Sequence, residues 1–314
     1  MRKPLKITLL TIGVVVALPV LVLATICVVN VVATKSDLAA IAPYGELVPV
    51  DDKQMNVLDS GGGAQTIVLL PGLGTAAPAL DFQPLIAELD GTYRVIAVEP
   101  FGTGLSDQTD TPRTPANIAR EVHEVLQYLG VDRYVLMGHS ISGIYALEYS
   151  KTYANELIAF VGIDSSVPDQ PGSDQPVPTD GLAELRELGI LRVLASVSGD
   201  AYAGLPYDEQ TKDQMRLLTT KNSTAPTMLD EMKQVPANFA SVSGATFPAS
   251  LPVLLFVVKD DTDVAGWAEL HARQAASVER GTVIALGGDH YLHHTRSAEI
   301  ARDTATFLQT LSVR

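Results

Sequence analysis

The chain of 314 residues holds one cysteine, Cys27. Neither an intrachain disulfide nor a cysteine-based zinc site can therefore be built. Cations are scarce as well, 22 Lys and Arg against 36 Asp and Glu, for a net charge of −14. Phosphate backbones are gripped by clustered Lys and Arg, so this balance argues against nucleic acid as a partner. There is no internal repeat and no low-complexity tract. What is abundant is apolar: 46% of the residues are hydrophobic, which excludes disorder as a description of the whole. A chain of this length has room for one large α/β domain or two small ones.

The N-terminus carries the first specific signal. Arg2, Lys3 and Lys6 precede an uncharged apolar run from Ile7 to Ala33, broken by residues such as Thr11, Gly13, Pro19, Thr25 and Asn30. As a helix the run reaches about 40 Å, enough to cross roughly 30 Å of hydrocarbon with tilt. A secretory leader has an apolar core of only about 7–15 residues, which favours a retained membrane anchor over a cleaved leader. Val22-Leu23-Ala24 and Val31-Val32-Ala33 offer small residues before a break and leave cleavage, and hence secretion, as the alternative. Basic residues ahead of the span place residues 1–6 in the cytoplasm and the remainder outside. With those three cations set apart, 19 remain against 36 acids. That excess repels anionic headgroups, and the domain is expected to stand off the membrane apart from its tether. Residues 34–45 read as a linker, and 46–314 as the folded domain.

From Glu46 onward, short Val-, Ile- and Leu-rich runs recur at Thr66–Leu70, Arg94–Val98, Tyr134–Met137, Ile158–Ile163, Val253–Val258 and Val283–Leu286. Such runs read as buried parallel strands. Amphipathic helical patterns separate them. In Thr114–Leu129, Ile118, Val122, Val125, Leu126 and Leu129 share one face, behind a Thr114 cap and a first-turn Pro115. Ser297–Leu311 is a second example. Alternation of this kind predicts a doubly wound, mostly parallel sheet. Residues 166–250 interrupt it with prolines, polar loops and short helical patterns such as Leu182–Leu194, and read as an inserted helical lid.

The strand Tyr134–Met137 runs into Gly138-His139-Ser140-Ile141-Ser142-Gly143 and then a helical pattern. A serine on a tight strand-to-helix turn projects its hydroxyl above the carboxyl edge of a sheet, and the turn needs small neighbours. The amide of Ile141 falls at a helix N-terminus, where it can donate to a developing oxyanion. Taken alone, an ordinary turn serine remains an open reading.

With its neighbours, the chain from about Glu46 resembles the α/β-hydrolase family. Ser142 stands where the family's Gly-x-Ser-x-Gly turn has its last glycine. Leu69-Leu70-Pro71-Gly72-Leu73-Gly74 follows the first buried strand, with Pro71 where the family usually has histidine, and the resemblance makes the Leu73 amide a second oxyanion donor. Glu99-Pro100-Phe101-Gly102-Thr103-Gly104-Leu105-Ser106-Asp107 is similar to the family's Asp-x-x-Gly-x-Gly-x-Ser-Asp turn. Serine as nucleophile sets the chain apart from the family's haloalkane dehalogenases and epoxide hydrolases, which use aspartate.

A serine hydroxyl needs a base, and the base needs orienting. The resemblance implies the order Ser, Asp, His. It puts the acid at Asp261, after the strand Val253–Val258, with Asp260 and Asp263 as near neighbours and Asp164, one strand earlier, as an outside candidate. It puts the base at His290, in Gly287-Gly288-Asp289-His290 ahead of the final helix. His293 and His294 lie close by, and His-x-x-His-His could be read as a metal cluster, but no partner ligand occurs at helical spacing. His139 is expected to pack under the sheet, and His123 and His271 to be partly solvated on helices. The expected protein is thus a membrane-anchored serine hydrolase of carboxylic esters or related acyl bonds. Its site would be Ser140, Asp261 and His290 with the Leu73 and Ile141 amides, using a small-molecule substrate and neither cofactor nor metal. A proline-iminopeptidase-like enzyme and a non-catalytic binding module on the same fold are the alternatives.

Overall fold

The structure, a computed structural model, describes residues 3–312. Eight strands form one sheet: β1 (Glu46–Val50), β2 (Lys53–Ser60), β3 (Thr66–Leu70), β4 (Arg94–Glu99), β5 (Tyr134–His139), β6 (Leu157–Ile163), β7 (Val253–Val258) and β8 (Gly281–Leu286). They lie in the order β1-β2-β4-β3-β5-β6-β7-β8. β1 and β2 pair antiparallel with each other, β2 antiparallel with β4, and every pair from β4 to β8 is parallel. The chain is an α/β-hydrolase fold with a mostly parallel sheet.

All six runs expected to be strands are strands, and the β1–β2 hairpin is an addition. β1 alternates exposed and buried residues and contains Pro49, a residue tolerated on an edge because it has no N–H for the ladder. Such a half-solvated edge has no continuous apolar run to reveal it. β8 departs from the buried expectation for the same reason. It closes the other edge, and none of its residues is buried.

Helices cover both faces. On one lie α4 (Pro115–Tyr128) and α5 (Ser142–Tyr153); on the other lie α2 (Pro78–Asp81), α3 (Gln83–Leu89) and the C-terminal α12 (Ser297–Ser312), with the short α11 (Leu292–Thr295) before it. α4 follows its sequence pattern: Ile118, Val122, Val125 and Leu126 are buried, and the Thr114 side chain caps the helix by accepting from the Asn117 amide at 3.3 Å. Alternate residues of the central strands feed the two cores, so that Val68 and Leu136 face one layer and Ile67 and Val135 the other. Each such side chain stabilises the fold by about 1.5–3 kcal/mol, more than any surface pair offers.

Between β6 and β7 the chain carries α6 (Leu182–Glu187), α7 (Ile190–Val197), α8 (Glu209–Asn222) and α9 (Pro226–Ser241), with no strand. The insertion is not one body. Thr179–Ala203 groups with the N-terminal part of the chain up to Ile41, whereas Ala42–Pro178 and Gly204 onward, with α8, α9 and α10 (Trp267–Ala276), form the sheet unit. The first unit contains α1 (Lys3–Ala40), whose stretch Val15–Ala40 is long and apolar enough to cross a membrane. It is a candidate transmembrane span, near the N-terminus, where a signal sequence has the same character.

The sheet unit has one topological feature that positions a site. β3 leads to β4 on one side, and the chain then returns to place β5 on the other side of β3. Between the carboxyl ends of β3 and β5 the connections diverge and leave a crevice, the usual ligand position in an open α/β sheet.

Candidate active site

Ser140 follows β5 with φ of 52°, in the left-handed region that β-carbon-bearing residues rarely occupy. Its amide donates to the Ile163 carbonyl at 3.2 Å, and its own carbonyl accepts from Gly143 and Ser166 at 3.0 and 2.8 Å. The turn is thus held from β6 and from the first turn of α5. Crowding explains the small residues around it. A β-carbon on Gly143 would lie 2.2 Å from the Ser166 carbonyl oxygen, and one on Gly138 would lie 2.9 Å from the Ser142 β-carbon. Ser142 itself is tolerated because its hydroxyl has a use: it donates to the Pro71 carbonyl at 2.5 Å. The departure from the family glycine therefore ties the serine turn to the loop after β3.

That loop abuts the serine. A β-carbon on Gly72 would sit 3.1 Å from the Ser140 β-carbon and 2.6 Å from His139 Nδ1. Leu73 follows directly, and Ile141 occupies the N-cap of α5. Among the described residues neither of these two amides donates to a protein acceptor. A small pocket beside the loop is lined by Pro71, Gly72, Gly74, Tyr145 and Glu231, with the Tyr145 hydroxyl donating to Glu231 at 2.6 Å. Burial raises the Glu231 carboxyl above the ordinary carboxylate range.

The turn that resembles Asp-x-x-Gly-x-Gly has a structural task. Glu99, fully buried at the end of β4, accepts from the Tyr44 hydroxyl, the Asn56 amide group and the backbone amides of Ala79 and Leu105. Gly104 has φ of 49° and presses on this carboxylate, leaving no space for a β-carbon. Burial nevertheless raises the Glu99 carboxyl above its ordinary range.

His290 reaches the serine as the chain order suggested: Nε2 lies 2.9 Å from Ser140 Oγ. The carboxylate at its other nitrogen is Asp164. Its Oδ2 lies 2.7 Å from His290 Nδ1, while Oδ1 accepts from Trp267 Nε1 at 2.7 Å and the Val258 amide at 2.9 Å. A carboxylate can only accept, so Nδ1 carries the proton and Nε2 is free to accept from the serine hydroxyl. Asp164 is 1% exposed and Ser140–His290 opens toward solvent, with His290 44% exposed.

The expectation for Asp261 is therefore corrected in position. Asp261 lies in the turn after β7, where its Oδ1 accepts from the amides of Asp263 and Val264 at 2.8 and 3.1 Å. These bonds close an Asx-type turn and leave Asp261 with no role at the histidine. Asp260 and Asp263 are exposed on the same turn. Asp164 directly follows β6, which lies between β5 and β7, and so stands one strand nearer the serine. The signal in the sequence was modest: an aspartate directly after an apolar strand, followed by two small residues. Trp267, the donor that fixes its second oxygen, carried no signal at all.

Three further histidines, His139, His293 and His294, group beside His290, whereas His123 stacks on Tyr153 away from it. His139 is buried, its Nε2 donates to the His290 carbonyl at 3.0 Å, and its ring tilts against that of His290 at 4.7 Å. Burial holds its pKa well below the ordinary histidine value, so it is neutral. His293 and His294, on α11, are buried and share one carboxylate: their Nε2 atoms lie 2.7 and 2.8 Å from the two oxygens of Asp81. Burial pushes the Asp81 carboxyl up, but the two imidazoles more than reverse this and hold it below the usual range. These three donor atoms lie within 4.8 Å of one another, the grouping that a metal would use, yet each is already paired. Asp81, on α2, was the partner that no helical spacing could disclose. His271, expected to be partly solvated, is fully buried between the carbonyls of Trp267 and Ser165, both 2.8 Å away.

Comparison with known proteins agrees with the fold. The profile of the Alpha/beta hydrolase family matches residues 67–303. An uncharacterized protein, YbdG, of Bacillus subtilis is 24% identical over 98% of both chains. A 2-hydroxy-6-oxononadienedioate/2-hydroxy-6-oxononatrienedioate hydrolase of Paraburkholderia phymatum is 32% identical over 41% of this chain and 46% of its own. That match spans less than half of either protein. Among solved structures, a bacterial membrane phospholipase A superposes over the full length of both chains with a TM-score of 0.63 at 17% identity, a likeness of fold.

Proposed function

The chain belongs to the alpha/beta hydrolase family, and we propose that within it this protein is a membrane-anchored serine hydrolase that cleaves a carboxylic ester or related acyl bond. The observation that carries the reading is the unbroken hydrogen-bond chain Ser140–His290–Asp164, with the serine in a strained strand-to-helix turn. Ser140 Oγ attacks the acyl carbon as its proton passes to His290 Nε2. Asp164 keeps the imidazole in the accepting tautomer and stabilises the imidazolium that forms. The amides of Leu73 and Ile141 receive the oxyanion, and removing one such donor costs about 3 kcal/mol in enzymes that use them. Collapse of the tetrahedral adduct expels the alcohol, protonated by His290, and water repeats the sequence on the acyl-enzyme. The chemistry requires neither a metal nor a cofactor.

For the location, the apolar stretch Val15–Ala40 supports a single retained span, and the basic residues before it favour a cytoplasmic N-terminus with the sheet unit outside. The test of the chemistry is the intact mass after exposure to a fluorophosphonate. One adduct, lost in Ser140→Ala, is expected. A folded protein that takes up no adduct would instead favour a scaffold used only for binding.

A further inference from the structure

We propose that α7 is an interfacial element that lies in the lipid surface at the end of the membrane span, a proposal that rests on reading α1 as that span. Within the unit formed by α1 and Thr179–Ala203, the two parts are joined by a polar clamp. Asn30 would be a costly residue in hydrocarbon unless paired. Its Nδ2 donates to the Arg186 and Glu187 carbonyls at the end of α6, at 3.1 and 3.3 Å, and its Oδ1 accepts from Arg192 Nε at 3.0 Å. The rest of the Arg192 guanidinium reaches Thr34 at 2.8 Å and Asp37 at 2.7 Å. The approach is close enough to demand a glycine. Gly189 has φ of 79°, and a β-carbon there would lie 2.6 Å from that of Asn30.

The register of this clamp sets the level of α7. Asn30 to Asp37 covers about 10 Å of helix and straddles the end of the apolar run at Ala33, where hydrocarbon gives way to the headgroup layer. α7 is thereby fixed at that boundary. Its neighbours to Arg192 present an apolar face: Val193, Leu194 and Val197 are 43%, 51% and 76% exposed. From Leu188 to Gly199 the only charge is Arg192, and Asp37 neutralises it. The surplus of acids that keeps the rest of the chain off anionic headgroups is missing from this stretch. A short apolar helix face, held at the interface without net charge, fits acyl chains at the headgroup boundary. A second copy of the chain is the competing occupant.

The experiment uses the full chain in phosphatidylcholine vesicles, with Cys27→Ser as background and an environment-sensitive fluorophore on Val197→Cys or Leu194→Cys. A label on Lys151→Cys, an exposed position of α5, is the reference. Nitroxide lipids spin-labelled near the headgroup are expected to quench the α7 labels several-fold more than the reference, and aqueous iodide several-fold less. Iodide quenching equal at all three positions would overturn the proposal. So would self-quenching of the α7 labels that grows with protein density while nitroxide lipids have no effect, since a second copy would then cover the face. Alkaline extraction of the same vesicles reports on the span separately, so failure of α1 to remain embedded is distinguishable from failure of α7 to touch lipid.

Discussion

Asp164→Asn separates the geometry found here from the alternative acid most directly. Asp164 Oδ1 takes two donors, Trp267 Nε1 and the Val258 amide, so an asparagine keeps its oxygen on that side and turns its NH2 toward His290. A donor now faces Nδ1, and the imidazole answers by moving its proton to Nε2. Nε2–H then faces the Ser140 hydroxyl as a donor and cannot accept its proton. The carboxylate that stabilised the imidazolium is lost as well. Where this change has been made in a Ser-His-Asp enzyme, the loss in kcat is about 10⁴-fold, roughly 5 kcal/mol of transition-state stabilisation. A loss of that order is expected here, with little change in melting temperature because the buried donors stay paired. Asp261→Asn, which only alters a turn, should remain within about twofold of the parent. The assay is hydrolysis of a chromogenic short-chain ester, backed by the rate of fluorophosphonate labelling. An Asp164→Asn enzyme that retains more than about a tenth of its activity, alongside an Asp261→Asn enzyme that collapses, would refute the reasoning.

Other outcomes follow from the same contacts. Asp81→Asn removes the charge that His293 and His294 share and loosens α11, the element that follows His290. A lower kcat with largely unchanged KM and a melting temperature lower by several degrees are expected, and an unchanged kcat would deny Asp81 any part in placing His290. Gly143→Ala forces a β-carbon against the Ser166 backbone, and a destabilisation of about 1–3 kcal/mol should appear in denaturant unfolding. His139 and His293 both have pKa values below the ordinary 6.5 through burial. The unfolded chain therefore binds protons that the folded chain refuses, and stability should fall as pH drops below about 6.5. His139→Gln should flatten that part of the stability profile, and a profile of unchanged slope would show that His139 does not titrate on unfolding.

Much of this architecture is legible in one dimension because its causes are local. A run such as Leu-Leu-Phe-Val-Val is buried in any parallel sheet, and the positive φ at Ser140 needs small residues within two or three positions along the chain. All six strand runs could be read for that reason, five of them buried and the sixth on the solvated edge, and so could the tight turn at Ser140. The edge hairpin β1–β2 could not, since half of its surface meets water and its pattern is diluted. Which aspartate meets His290 depends on the order of strands across the sheet. Asp164 and Asp261 each follow a core strand, but β6 adjoins the strand of the serine and β7 does not. Likewise Asp81 lies more than two hundred positions from the histidines it joins, and Asn30 more than 150 from the arginine that pairs with it. Sequence determined which residue types stand at strand ends, because backbone sterics and burial act over a few neighbours. Tertiary structure alone decided which of them meet, because a hydrogen bond of 2.7 Å depends on where two distant elements are packed and on nothing in the chain between them.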